Sequence, residues 1–79
     1  MKKLIDIMGV LRGPAGCPWD RKQTYASLMV CLLEETHEVI DAVSKKRYNK
    51  LEEELGDVLC IVSMLMVIAE ERGDFTASS

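Results

Sequence analysis

Residues 58–69 read VLCIVSMLMVIA, twelve positions without a charge and with Ser63 as the one hydroxyl side chain. A helix built from them is apolar on every side, so it has to be buried all round. Twelve residues fall far short of the ~20 that a transmembrane helix needs, so the cover must come from protein. A chain of 79 residues makes one domain, and a core of that size leaves only a few kcal/mol of net stability. Enclosing a helix on all sides is hard for so small a monomer. The run therefore predicts an all-α single domain over residues 1–79 that assembles into a four-helix-bundle-type homodimer or homotetramer.

The same helix carries a second constraint. At about 100° per residue, Glu54, Asp57, Ile61, Leu65 and Ile68 fall on one face. Two carboxylates thus open a stripe that otherwise belongs to the interior. Burying an unpaired carboxylate costs several kcal/mol, a large part of what such a domain has to spare. Lys50, one turn before Glu54, is the one well-placed base. A divalent cation is the other remedy.

Along the chain, Leu4, Ile7, Met8 and Leu11 predict an amphipathic helix over residues 1–12. GPAGCP, residues 13–18, holds two glycines and two prolines in six positions and reads as a loop. Asp20, with Gln23 three residues on, reads as the cap of a second helix over about 21–43. Its apolar face is expected to hold Leu28, Leu32, Val39 and Val43, widened by Met29, Leu33 and Ile40. SKKRYN interrupts the pattern. Asn49 with Glu52 then opens a third helix over about 50–72, and Gly73 stands where a glycine after a helix belongs. Phe75 is the tail residue expected to dock. Two helices joined by a short loop are antiparallel neighbours, and no stretch reads as a strand.

Other functions are disfavoured by what the chain contains. Cys17, Cys31 and Cys60 are an odd number, have no zinc spacing with the single His37, and follow no secretory signal. A reduced, cytoplasmic protein is expected, with Cys31 and Cys60 as small core residues. The net charge of −3 argues against a nucleic-acid polymer as partner, and nothing points to a membrane.

The second helix contains LLEETHEVID, whose Glu34, Glu35, Glu38 and Asp41 cover an arc of about 120°, expected roughly opposite Leu28, Leu32 and Val43. Alone, such an arc is a solvated face. Opposite a third helix bearing Glu54 and Asp57 it acquires another meaning: Glu35 and Glu38 face Glu54 and Asp57. Four converging carboxylates suit Mg²⁺ or Mn²⁺. His37 sits at the wrong spacing for the Glu-x-x-His motif of di-iron bundles. Gly56, inside the third helix, either lets another helix approach closely or is a weak spot costing about 1 kcal/mol.

EExxE on one helix followed by ExxD on the next is the signature of the all-α nucleoside triphosphate pyrophosphohydrolases. The chain resembles the MazG group of these in LRGPAGCPWDRKQTYASL, LLEETHEVIDAV, LEEELGDVL and IAEERGDF, in that order and over nearly all of residues 4–75. The resemblance implies a Mg²⁺-dependent hydrolase that cuts a nucleoside triphosphate between its α and β phosphates. It implies Glu35, Glu38, Glu54 and Asp57 as metal ligands. Glu34 would orient or deprotonate the attacking water or hold a further metal, which makes Glu34, Glu35 and Glu38 the catalytic set. Trp19 and Gln23 match the CPWDxxQ signature and would lie near the nucleotide, Trp19 either stacking on the base or plugging the loop, and Lys50 would meet phosphate. The chain departs from the family pattern at Tyr25, usually His, at Val30-Cys31, commonly Pro-Tyr, and at Ile61, Met64 and Leu65, often Gln, Phe and His. These departures leave the base and sugar open. Two other readings compete: a catalytically weak Mg²⁺-nucleotide-binding module, and a purely structural oligomerisation domain.

Overall fold

The computed structural model describes residues 22–76, and within them the chain is two α-helices with no strand. Helix α1 runs Tyr25–Ser44 and helix α2 runs Tyr48–Arg72. The expected helix over 1–12, the loop over 13–18, Trp19 and Asp20 lie outside the described residues.

Helix α1 begins four residues later than the sequence pattern suggests. Its N-cap is Thr24, whose hydroxyl accepts from the Ser27 N–H at 3.2 Å, while Ser27 Oγ accepts from the Thr24 N–H at 2.9 Å. That reciprocal pair satisfies two amides that the helix leaves without partners. At the other end the N–H groups of Lys45 and Arg47 donate to Asp41 O and Ala42 O at 3.0 and 2.9 Å, and Lys46 takes a left-handed φ of 55°. The chain reverses in residues 45–47. Helix α2 follows without a side-chain cap, so Asn49 lies inside the helix instead of capping it. Its C-terminus is as expected: Gly73 adopts φ 76°, and the Gly73 and Asp74 N–H groups reach back to Glu70 O and Ala69 O at 3.1 and 2.9 Å.

The helices pack antiparallel. Leu28, early in α1, is buried against Met64, Val67 and Ile68, late in α2, with Tyr25, Ile61, Leu65 and Met66 around them. The inner line of α1 is Leu28, Glu35 and Ala42, spaced by seven; Leu28 and Ala42 are buried and Glu35 is half-buried. Seven residues bring a helix back to within about 20° of the same direction. This corrects the expectation that Glu35 lies opposite Leu28: it lies on the same face. Only Glu34, Glu38 and Asp41 turn outward, and Asp41 pairs with Lys45 at 3.1 Å.

The stripe expected to widen the core is exposed instead. Met29, Leu33 and Ile40 face outward on α1, as do Leu55 and Leu59 on α2, and Val43, expected on the core face itself, is exposed as well. Helix α2 is therefore not buried all round within one chain. It is covered at Ser63, Met64, Val67, Ile68 and Ala69 and open at Leu55, Leu59 and Cys60. Measured from Leu28, Met29, Leu33 and Ile40 lie about 100–140° to one side, whereas Cys31 and Glu34 lie about 60–120° to the other. The hairpin thus has an apolar face and an acidic one.

A polar clasp closes its open end. The Tyr25 hydroxyl donates to Asp74 Oδ2 at 2.8 Å, Arg72 Nε donates to the same oxygen at 2.9 Å, and the Arg72 guanidinium stands 5.1 Å from the centre of the Tyr25 ring. Phe75, expected to dock, is 49% exposed.

Gly56 sits inside α2, and a Cβ placed there meets nothing within 4 Å among the described residues. Gly56→Ala is therefore expected to raise stability by about 0.5–1 kcal/mol through helix propensity alone, read as a higher denaturant midpoint with unchanged slope. A loss of stability would show that this position is packed, by a second chain or by residues outside the described range.

Candidate metal centre

Three carboxylates meet where the helices face each other. Glu35 points inward because it shares the line of Leu28 and Ala42. Glu54 and Asp57 are three apart on α2 and so lie on one side of it. One oxygen from each of Glu35, Glu54 and Asp57 lies within 4.8 Å of the other two. Burial is graded across the group: Glu54 is 5% exposed, Glu35 is half-buried and Asp57 is open to solvent.

Like charges this close need compensation. Lys50, one turn before Glu54, brings its ammonium to 3.2 Å from Glu54 Oε1 and to 3.5 Å from Glu53 Oε2. Among the described residues Glu35 has no such partner. A hydrogen bond to Glu54, desolvation, and the charges of Glu54, Asp57 and Glu38 raise its pKa to about 7. The hydrogen bond from Glu35, with help from Lys50, lowers that of Glu54. The pair thus holds one proton on Glu35, which donates it to the Glu54 carboxylate. The Oε2 atom of Glu35 is buried and has no hydrogen-bond partner among the described residues.

A buried carboxylate oxygen without a partner, beside two more carboxylates, is a donor set for a hard divalent cation. Metal–oxygen distances of ~2.1 Å put ligands on opposite sides of Mg²⁺ about 4.2 Å apart, so a 4.8 Å spread needs only slight contraction. The residues fit the ion that the sequence implies.

The remaining sequence-predicted residues divide. Glu38 is exposed and reaches the cluster through its charge on Glu35, outside the three-oxygen group. Glu34 lines the open groove above the cluster. Gln23 stands at the entry of α1, where its side-chain oxygen accepts from the Ser27 hydroxyl at 2.8 Å. Lys50 is held by Glu54 and Glu53. Trp19 is outside the described residues.

The groove, of about 310 Å³, also reveals residues that the motif did not single out. Glu34, Glu35 and Asp57 line one part of it, and Leu28, Cys31, Cys60 and Ile61 line the rest. Cys31 is half-buried and Cys60 exposed, so Cys60 is not the core residue expected. Their positions were readable: Cys60 follows Asp57 by three and Cys31 precedes Glu35 by four, the spacings that share a helix face.

The raised Glu35 pKa sets a pH dependence. The folded state holds this proton more tightly than the unfolded chain, whose glutamates titrate near 4.5. The stabilisation is full below that value and is lost as pH rises through about 7. In EDTA the protein should lose on the order of 2 kcal/mol between pH 5 and 8, while the gain from added Mg²⁺ should grow over the same window. A metal-free melting temperature that rises from pH 5 to 8 would contradict the shared proton.

Among the described residues no helix is long and apolar enough to cross a membrane. Residues 23–79 match the family described as the MazG nucleotide pyrophosphohydrolase domain. The chain is 51% identical over 75 residues to the nucleoside triphosphate pyrophosphohydrolase/pyrophosphatase MazG of Thermotoga maritima, an alignment covering 95% of this chain and 29% of that protein. It is 45% identical over 74 residues to the nucleoside triphosphate pyrophosphohydrolase of Escherichia coli K12, covering 92% of this chain and 28% of that protein. To the uncharacterized protein YabN of Bacillus subtilis it is 46% identical over 70 residues, 89% of this chain and 14% of that protein. The chain thus spans less than a third of the length of these relatives.

Proposed function

Because the chain belongs to the MazG nucleotide pyrophosphohydrolase family, we propose that it is a MazG-type domain that hydrolyses nucleoside triphosphates between the α and β phosphates, using Mg²⁺ or Mn²⁺. The products are the nucleoside monophosphate and pyrophosphate. The observation that carries this reading is the convergence of Glu35, Glu54 and Asp57 within 4.8 Å on facing helices, in a chain of that family.

Glu35, Glu54 and Asp57 hold the metal, and Glu38, one turn after Glu34 and beside the cluster, completes the set. When bound, the ion neutralises phosphate oxygens and lowers the pKa of a coordinated water. Lys50 fixes the Glu54 carboxylate through its 3.2 Å ion pair. Glu35 gives up its proton on loading, which frees both of its oxygens. Glu34, on the groove wall, orients the attacking water and takes its proton. Once loaded the groove is a site for a polyanion that carries its own cation, which a wall of carboxylates otherwise repels. Gln23 and Trp19 bind the nucleotide, and Lys50 reaches a phosphate from its place beside Glu54.

The exposed stripe of Met29, Leu33, Ile40, Leu55 and Leu59 is buried between copies, giving a homodimer or homotetramer of four-helix-bundle type. The free thiols of Cys31 and Cys60 suit a reduced cytoplasmic setting, and the enzyme acts on free nucleotides in the pool, without a nucleic-acid polymer or a membrane.

The test is a panel of nucleoside triphosphates assayed with Mg²⁺ for pyrophosphate. Monophosphate and pyrophosphate in equal amounts, lost in EDTA, are expected. Orthophosphate with the diphosphate as main product would show that a different bond is cut. Saturable Mg²⁺-nucleotide binding without turnover would make the chain a binding module.

A further inference from the structure

The groove beside the acidic cluster changes character along its length. Because the helices are antiparallel, the step from Glu35 back to Cys31 on α1 runs the same way as the step from Asp57 on to Ile61 on α2. Each is four residues, about 6 Å along the axis. Nearer the turn the walls are Glu34, Glu35 and Asp57; farther from it they are Leu28, Cys31, Cys60 and Ile61. Leucine and isoleucine offer no hydrogen bond, and a thiol is a weak donor and a weak acceptor. Among the described residues no hydroxyl, amide or charged side chain lines this second half. Two of its positions depart from the family pattern: Cys31 stands where Tyr is common and Ile61 where Gln is frequent. Both exchanges take a hydrogen-bonding group out of the wall.

This gradient sets the direction in which a nucleotide lies. Its phosphates go to the acidic end through the metal, and the anionic tail points away from the apolar half, toward Lys50 beside Glu54. The nucleoside extends the other way. The sugar, the first group after the α-phosphate, comes one turn on from the carboxylates, against Cys31, Cys60 and Ile61. The base lies beyond it, toward Gln23 at the entry of α1.

We propose that this apolar wall, with Cys60 and Ile61 at its centre, selects the sugar and favours 2′-deoxynucleoside triphosphates over ribonucleotides. A 2′-hydroxyl set against it gives up water on that side and finds no partner, the cost of any polar group desolvated without compensation. The 2′-methylene of a deoxyribose loses nothing there and covers apolar surface. Discrimination is moderate, because even an enclosed apolar pocket rejects an added hydroxyl by only about 10²-fold. This groove is open to solvent at Cys60, and a preference of about tenfold is expected.

The kinetic arm of the test rests on the hydrolase reading; the binding arm rests only on the metal site. With Mg²⁺, kcat/KM for pyrophosphate release is compared for dATP and ATP, dGTP and GTP, and dCTP and CTP. Affinity is compared by thermal shift with the α,β-methylene analogues of dATP and ATP, which resist cleavage between those phosphates. The deoxy form should lead about tenfold in both arms, and for all three bases, since the sugar is what the wall reads. Ile61→Gln and Cys60→Ser each put a hydrogen-bonding group on the wall and should narrow the ratio by raising the ribonucleotide value. Cys60→Ala, which leaves the wall apolar, should keep the preference. Equal values for the two sugars, a lead for ribose, a lead confined to one base, or a ratio unmoved by both polar variants overturns the proposal, as does a protein that neither cuts nor binds either form. Deoxy-selective binding of the analogues without pyrophosphate release from any triphosphate would instead end the hydrolase reading and leave the sugar wall standing.

Discussion

Asp57→Asn is expected to abolish nearly all turnover while leaving the metal-free protein at least as stable as the parent. The carboxamide keeps the shape of the side chain and removes one charge from a cluster in which Asp57 helps to push the Glu35 pKa upward. Relief of that repulsion acts in favour of the folded state in EDTA. Asp57 has no charge partner at risk in Lys50, which is paired with Glu54 and Glu53. With metal the order reverses. At a Mg²⁺ concentration 100 times Kd the parent gains ~2.7 kcal/mol, on the order of 10 °C in melting temperature for a domain this size. The mutant, one ligand short, should gain only a fraction of that. Its rate of pyrophosphate release should fall about 10²-fold or more, the scale on which one preorganised electrostatic group matters. Thermal melts with and without EDTA and a pyrophosphate assay measure all three quantities. Strong destabilisation in EDTA would make Asp57 a structural residue and remove it from the metal site.

The second large effect concerns assembly. Leu33 and Leu59 are 60% and 45% exposed on the apolar side of the hairpin. In an isolated chain, replacing both with Glu removes exposed apolar surface and should change stability little. In an isologous dimer each substitution appears twice, and every buried, unpaired carboxylate costs several kcal/mol. At 1.4 kcal/mol per factor of ten, association should weaken about 10³-fold or more. Sedimentation at micromolar concentration should give a dimer or tetramer for the parent and a folded monomer for Leu33→Glu with Leu59→Glu. A parent that sediments as a folded monomer ends the oligomer reading.

That apolar stripe also marks where sequence reasoning stops. Periodicity identified Met29, Leu33 and Ile40 as apolar and helical, and both statements hold. It could not say whether their cover comes from the same chain, because hydrophobicity records that a side chain leaves water and not which neighbour receives it. The caps divide in the same way. Gly73 was legible because a left-handed residue after a helix favours glycine. At the start of α1, Asp20 with Gln23 and Thr24 with Ser27 have the same three-residue spacing, and only tertiary context separates them. At the site, Glu54 and Asp57 were legible because their stripe continued into apolar residues. Glu35 was assigned to the right cluster but to the wrong side of α1, since its alignment with Leu28 seven residues earlier was outweighed by the acidic block around it. The groove thiols needed the facing helix before they acquired a location.

The turn of residues 45–47 has a kinetic consequence. All three clustered carboxylates lie between residues 35 and 57, so one short loop and two local helices bring them together. Such contacts are close in sequence, and chains dominated by them fold fast; closing the loop costs little entropy because the cost grows only with the logarithm of its length. If the hairpin zips outward from Lys46, Glu54 and Asp57 approach Glu35 before Leu28 reaches Met64 and Ile68, and Asp57→Asn is then expected to speed folding in EDTA as well as to stabilise the folded state, which stopped-flow refolding measures.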